Sequence, residues 1–134
     1  MSGFDQAAAD TILGELARQI VADEEFQGKP WQAIALVIGV RPRRRVFGYL
    51  YRPDGSWEAA IPRASRPTIE KAQELAAAMQ VDGRESWKVC LLQLMAPGPQ
   101  IMADFEYDDH GRWDVSPANL ESRVEELRPQ VQQR

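Results

Sequence analysis

The chain has 134 residues, of which 44% are hydrophobic and 27% charged, and its formal net charge is −4. This length suits one hydrophobic core, and the composition is typical of a globular protein and excludes an intrinsically disordered one. The lone cysteine, Cys90, excludes an internal disulfide, and it lies in an apolar run that fits a buried, reduced thiol. We predict a single domain over residues 1–134, with loose ends at 1–3 and 130–134.

The first residues lack a signal-peptide pattern, and no apolar stretch reaches the length of a membrane span. We therefore expect a cytoplasmic protein with no membrane partner. Charge is uneven along the chain: residues 41–71 carry eight bases against three acids, and residues 104–126 carry eight acids against two bases. The two segments are expected to attract each other, or a partner.

Apolar side chains recur at helical spacing over residues 4–23, which predicts a first helix that Ser2 with Asp5 can cap. Residues 31–40 are almost wholly apolar and rich in β-branched side chains. This composition predicts a central strand that is covered on both faces.

Residues 46–51 read as a second strand that leads to the turn Pro53-Asp54-Gly55. The alternation over residues 57–61 predicts a third strand beyond that turn. A second helix is expected from Pro67, which the first turn of a helix tolerates, and Asp82-Gly83 ends it.

A fourth strand is predicted over residues 86–95 and a fifth over 101–108, followed by a short extended piece over 112–115. Ser116-Pro117 is a strong start for a third helix, which Pro129 ends. The predicted fold is α+β: a mainly antiparallel sheet of five to six strands with three helices, in the order α-β-β-β-α-β-β-α. We expect the helices to pack on one face of the sheet.

The fifth strand alternates apolar with acidic side chains, which places Asp104, Glu106 and Asp108 on one strand face about 7 Å apart, with Asp109 next along the chain. Such a row suits a basic protein partner, or Mg²⁺ or Ca²⁺ held by oxygen ligands. The more ordinary interpretation of such a row is a solvated outer face that resists aggregation. The spacing of an EF-hand loop is absent.

The run from residue 41 to residue 45 contains four arginines, which are candidate phosphate contacts: Arg41, Arg43, Arg44 and Arg45. The run is short and the sequence pI is about 5.0, whereas nucleic-acid readers usually add aromatic platforms or a basic domain. A solvated loop that pairs with the acidic segment, or a contact to a protein partner, explains the arginines as well.

The side chains that usually carry catalysis are not arranged in a recognisable motif. His110 is the only histidine, so neither a Cys-His pair nor a zinc site is indicated, and no serine lies in a nucleophile elbow. Four tryptophans fall at or near strand starts, where they suit core packing, an aromatic partner-binding patch or a homodimer interface: Trp31, Trp57, Trp87 and Trp113.

Residues 87–129 combine a strand that opens with Trp87, a hairpin, the acidic and aromatic run Asp104-Phe105-Glu106-Tyr107-Asp108-Asp109, then Trp113 and a closing helix. This layout resembles the YezG-like immunity (antitoxin) family, whose members are small cytoplasmic α+β proteins with a similar Phe-x-Tyr-acid strand in their second half. The resemblance covers about a third of the chain, and the hairpin turn at residues 96–99 and the arginine segment at 41–45 depart from the family pattern. It implies a protein that neutralises a toxin, such as a nuclease, by binding it.

We therefore predict a non-enzymatic protein-binding domain with no cofactor, metal or catalytic residue, whose partner is a basic protein. The predicted partner-binding residues are Asp104, Glu106, Tyr107, Asp108, Asp109 and Trp113. The alternative is a small nucleic-acid-associated regulator that uses Arg41, Arg43, Arg44 and Arg45. A third hypothesis is an enzyme or metal protein of an unrecognised type.

Overall fold

In the computed structural model, which describes residues 3–129, the chain folds into one five-stranded sheet and three helices. The elements are α1 (Gln6–Val21), β1 (Ala33–Gly39), β2 (Arg45–Tyr51), β3 (Trp57–Ala59), α2 (Ser65–Ala78), β4 (Val89–Met95), β5 (Gln100–Glu106) and α3 (Leu120–Leu127). This is the predicted α+β class and element order. Apart from Gly3, which is exposed, the loose ends predicted at 1–3 and 130–134 lie outside the described residues.

All strand pairs are antiparallel and the spatial order is β3-β2-β1-β4-β5, so β1 is central. Every residue of β1 is buried, as expected for an apolar strand that is covered on both faces. Its side chains alternate between two cores: Ile34, Leu36 and Ile38 belong to the α1/α2 core, and Ala33, Ala35 and Val37 to the opposite one.

The prediction that all three helices pack on one face is wrong, because α3 covers the opposite face through Val124 and Leu127. Two sheet side chains also bond to carbonyls in the last turn of α3. The Tyr51 hydroxyl donates to the Val124 carbonyl at 2.7 Å, and Gln93 Nε2 donates to the Leu127 carbonyl at 2.8 Å. The physical reason for this placement is that a sheet with two apolar faces needs cover on both.

The extended piece predicted over 112–115 is also wrong, since residues 110–113 form a turn. That turn carries Trp113 into the α3 core. The helix α3 starts later than Ser116, whose amide donates to Asn119 Oδ1 at 2.8 Å, and Asn119 is its N-cap residue.

The first helix starts at a side-chain cap. Asp5 is the N-cap residue of α1 and accepts a hydrogen bond from the Ala8 amide at 3.2 Å, while Ser2 lies outside the described residues. Within residues 3–129, no helix combines the length and the apolar character needed to cross a membrane.

Asp23 links the end of α1 to the loop that precedes α2. Its Oδ1 accepts from the amides of Glu25 (2.9 Å) and Arg63 (2.8 Å), and its Oδ2 accepts from the Ala64 amide (2.9 Å). Burial alone would raise the pKa of this carboxyl, but the three amides and the Arg63 charge outweigh burial and hold the pKa below its ordinary value. The folded state therefore favours the ionised form of the Asp23 carboxyl.

Candidate protein-binding surface

Strand β5 lies at an edge of the sheet and has one apolar and one polar side, as the alternation predicts. Ala103 and Phe105 pack on the α1/α2 core, and the Phe105 ring centroid lies 5.2 Å from that of Trp87. Because successive side chains of a strand point to opposite faces, Asp104 and Glu106 belong to the α3 side.

The strand ends at Glu106, so the predicted row of carboxylates along one strand face holds only for Asp104 and Glu106. Glu106 Oε2 accepts from the backbone amides of Asp108 (3.0 Å) and Asp109 (3.1 Å), and its Oε1 lies 3.2 Å from Arg112. The two amides, followed by the Arg112 guanidinium, hold the pKa of Glu106 below its ordinary value. Glu106 therefore organises the turn that follows β5.

Asp104 is far more accessible to a partner than Glu106, since 59% of its side chain is exposed against 17% for Glu106. The nearest cation, the guanidinium of Arg112, is 3.9 Å from Asp104 Oδ2 and also stacks over the Trp113 ring at 4.7 Å. Trp113 itself is only 6% exposed. Asp104 is therefore exposed to solvent, whereas Trp113 is buried and its ring packs against the Arg112 guanidinium.

The turn after β5 presents an exposed aromatic ring next to two carboxylates. Tyr107 is 43% exposed, and Asp108 and Asp109 are exposed as well. Tyr107 and Asp108 line an open cavity of about 460 Å³ together with Arg84 and Glu85. We call Asp104, Tyr107, Asp108 and Asp109 the acidic surface.

The arginine loop is divided between internal contacts and solvent. Arg41 bonds to the Ser86 carbonyl and lies 3.0 Å from Glu85, and Arg45 is bonded on two sides, to the His110 carbonyl (2.8 Å) and to Asp114 (2.6 Å). Arg43 and Arg44 are exposed, and neither has a hydrogen bond or ion pair to the rest of residues 3–129. The Arg45–Asp114 pair is one contact of the kind expected between the basic and acidic segments.

The remaining chemically interesting groups are dispersed. Cys90 is fully buried in β4, and burial raises the pKa of its thiol far above the ordinary value, whereas His110 lies in an exposed turn. Within the part of the chain that the structure describes, no three His, Cys, Asp or Glu side chains are grouped so that they could hold a metal ion.

Two residues of this region were not singled out from the sequence. Arg112 joins the acidic surface to the α3 core, because it contacts Asp104, Glu106 and the ring of Trp113. Glu85 pairs with Arg41 and also lines the cavity that Tyr107 borders. The signal for Arg112 was its place as one of only two bases in the acidic segment 104–126, beside a tryptophan.

Comparison with known proteins finds no family model that matches this chain and no curated protein of significant sequence similarity. The resemblance to the YezG-like immunity family therefore stays a prediction that depends on the motif at residues 104–109 and on the element order.

Proposed function

We propose that this protein is a non-enzymatic protein-binding domain, similar to an immunity protein, which captures a basic protein partner through the acidic surface. The observation that carries the proposal is the exposed ring of Tyr107 in the same turn as the exposed carboxylates of Asp108 and Asp109, directly after the strand that carries the exposed Asp104. Tyrosine is enriched in binding hot spots, and charges around such an anchor favour a partner of the opposite sign.

The charge of this surface suits one class of partner. A toxin that cleaves nucleic acid must be basic enough to hold phosphates, so an inhibitor that presents carboxylates gains association rate and specificity from complementary fields. Asp104, Asp108 and Asp109 all remain exposed to solvent. Arg112 lies 3.2 Å from Glu106 and farther, at 3.9 Å, from Asp104, while Asp109 accepts a hydrogen bond from the Gly111 amide at 3.0 Å. We therefore infer a basic toxin, such as a nuclease, as the partner.

The proposal is tested by charge reversal. We would capture partners from host lysate at moderate salt with the tagged wild type and with a variant that combines Asp104→Lys, Asp108→Lys and Asp109→Lys. The wild type should retain one stoichiometric basic protein that high salt releases, and the variant should lose it, because like charges now face each other.

A matched variant controls for net charge. Asp10, Glu24 and Glu70 are exposed carboxylates that belong to α1, the residues just after it, and α2. Changing these three to lysine alters the total charge equally and should leave capture unchanged. Equal capture by the wild type and the acidic-surface variant would overturn the site assignment, and capture of no protein by the wild type would overturn the binding function.

The nucleic-acid alternative has less support, because Arg41 and Arg45 already make internal contacts and only Arg43 and Arg44 remain exposed. Two cations neutralise few phosphates, so they add little to the affinity for a nucleic acid. Salt-sensitive binding to mixed DNA and RNA that disappears in an Arg43→Ala, Arg44→Ala variant would favour this alternative.

A further inference from the structure

In the part of the chain that the structure describes, the outer edge of β5 carries backbone groups with no strand beside them. The ladder between β1 and β4 identifies which groups these are. The Ala96 amide donates to the Gln32 carbonyl at 2.8 Å, and the Val40 amide donates to the Lys88 carbonyl at 2.9 Å. Even-numbered residues of β4 therefore bond to β1, and odd-numbered residues of β4 bond to β5.

The same alternation continues into β5. Leu91 lies opposite Asp104, and Gln93 lies opposite Met102, so the even-numbered residues of β5 bond to β4. The amides and carbonyls of Ile101, Ala103 and Phe105 consequently point away from the sheet. Within residues 3–129, no strand pairs with this side of β5.

The two sides of this edge differ in chemistry. On the side of α1, an open apolar cavity of about 520 Å³ runs beside the strand, and Ala17, Val21, Pro99 and Ile101 are among its lining residues. Ile101 is 38% exposed. On the opposite side, the exposed Asp104 carboxylate borders the edge. A strand added here would meet an apolar surface with every second side chain and a carboxylate with the others.

The opposite edge of the sheet is shorter among residues 3–129. The strand β3 has three residues and β5 has seven. Proteins usually protect long exposed edges, and an exposed acidic side chain such as Asp104 keeps a second acidic copy of the chain away while it attracts a basic strand.

From this arrangement we propose that the basic partner docks by adding an extended strand to β5, with lysine or arginine side chains on the side of Asp104 and apolar side chains over the groove beside α1. This inference rests on the proposed function, since it says how the same partner is held. The backbone groups of Ile101, Ala103 and Phe105 then supply binding energy, and the two sides of the strand select an alternating basic and apolar sequence.

The test uses a defined probe, a synthetic peptide of alternating lysine and valine, and follows amide hydrogen exchange of the full chain by NMR. The peptide should slow exchange at Ile101, Ala103 and Phe105 by about tenfold or more, since each amide gains a hydrogen-bond partner. A peptide of alternating glutamate and valine should have no effect, because its charges face Asp104. Protection elsewhere, or protection by both peptides alike, would overturn the inference.

Proline substitutions provide a matched pair of variants. Ala103→Pro removes an outward-pointing amide and leaves the ladder to β4 intact, so it should weaken peptide binding about tenfold. Ala59→Pro is the control: the Ala60 amide donates to the Gly48 carbonyl at 2.9 Å, so the amide of the exposed Ala59 also points outward, on the other edge. The control should bind the peptide as the wild type does.

If Ala103→Pro fails to fold, strand addition is tested with a lysine-valine peptide that carries N-methyl groups on alternate amides. This peptide lacks the N–H groups that would donate to the β5 carbonyls, so it should not bind. Protection of Ile101, Ala103 and Phe105 at high protein concentration without peptide would mean that a second copy occupies the edge, and would overturn the inference. Loss of a captured protein in the acidic-surface lysine variant, with no peptide protection at β5, would retain the proposed function and reject strand addition.

Discussion

The α1/α2 face of the sheet and its α3 face are covered by different kinds of contact. The first is a large, almost wholly apolar core to which both long helices contribute. The second has a smaller core under a helix of eight residues, and the side chains of Tyr51 and Gln93 bond to carbonyls of that helix. The difference teaches that the α1/α2 face is held by close packing of apolar side chains, whereas the α3 face adds two directed hydrogen bonds to a smaller apolar core.

Gly48→Ala in β2 is the substitution expected to destabilise the packing of the α1/α2 face most. A Cβ at Gly48 would overlap the Ala35 carbonyl oxygen and would lie 3.0 Å from the Leu36 Cα, so backbone atoms of β1 must move. We expect a loss of about 3 kcal/mol in the free energy of unfolding, measured by urea denaturation. Gly14→Ala in α1 is the control: the Arg18 guanidinium at 3.5 Å is the nearest neighbour of its Cβ, so this variant should be slightly stabilised. Equal stability of the two variants would contradict the packing argument.

The next largest effect on stability is expected at Asp23, a buried charged residue on the α1/α2 side of the sheet. Asp23→Asn removes the charge from hydrogen bonds to three amides and should lower the free energy of unfolding by about 2 kcal/mol at neutral pH. Because the folded-state pKa is below the unfolded value, Asp23 contributes stability that is present above about pH 4 and is lost as the pH falls through the lowered pKa. Urea titrations from neutral to acidic pH should show this loss in the wild type and in Glu24→Gln, and a reduced loss in Asp23→Asn. Parallel pH profiles for all three proteins would refute the assignment.

On the α3 face, Tyr51→Phe should cost about 1 kcal/mol, since it leaves the buried Val124 carbonyl without its 2.7 Å hydrogen bond. Burial raises the pKa of Tyr51, so the hydroxyl stays protonated and able to donate through the neutral range. Tyr49→Phe is a matched control, because the Tyr49 ring packs edge-on against Trp57 at 5.5 Å and keeps that contact in the variant. Both are measured by urea denaturation, and a smaller loss in Tyr51→Phe than in Tyr49→Phe would contradict the role of the hydrogen bond.

The smallest effect belongs to the ion pair between the basic and acidic segments. Asp114→Asn removes the carboxylate that lies 2.6 Å from Arg45, but about half of the Asp114 side chain is exposed. We expect a change of no more than about 0.5 kcal/mol in the free energy of unfolding, and high salt should abolish it. A salt-independent change above about 1 kcal/mol, the upper range for exposed pairs, would show that this contact matters more than its exposure indicates.

Most of the fold could be predicted from local patterns. The alternation over residues 101–106 and the apolar run in β1 predicted strands, and the turn at Pro53-Asp54-Gly55 separated two of them correctly. The side on which α3 packs was predicted wrongly, because the stripe of Leu120, Val124 and Leu127 fits either face of a sheet. The apolar character of β1 on both faces was the available evidence that each face needs a cover.

The candidate surface was predicted in composition and only partly in geometry. The sequence places carboxylates at 104, 106, 108 and 109, but the separate role of Glu106 arises from the chain turning back over its side chain. The burial of Trp113 likewise depends on a core that includes residues distant in sequence, such as Ala35 and Val89. Patterns within a strand predict which residues share a face, and tertiary contacts decide which of those remain accessible.

The short helix α3 is also expected to be the first element to unfold locally. Only two of its residues are buried, Val124 and Leu127, and an eight-residue helix is not stable alone in water. Detachment of α3 would uncover the sheet side that contains Ala35 and Val37, while the α1/α2 core stays intact. Amides of α3 should therefore exchange with solvent through a partial opening that requires less free energy than global unfolding, and a protease should cut near α3 before it cuts the strands.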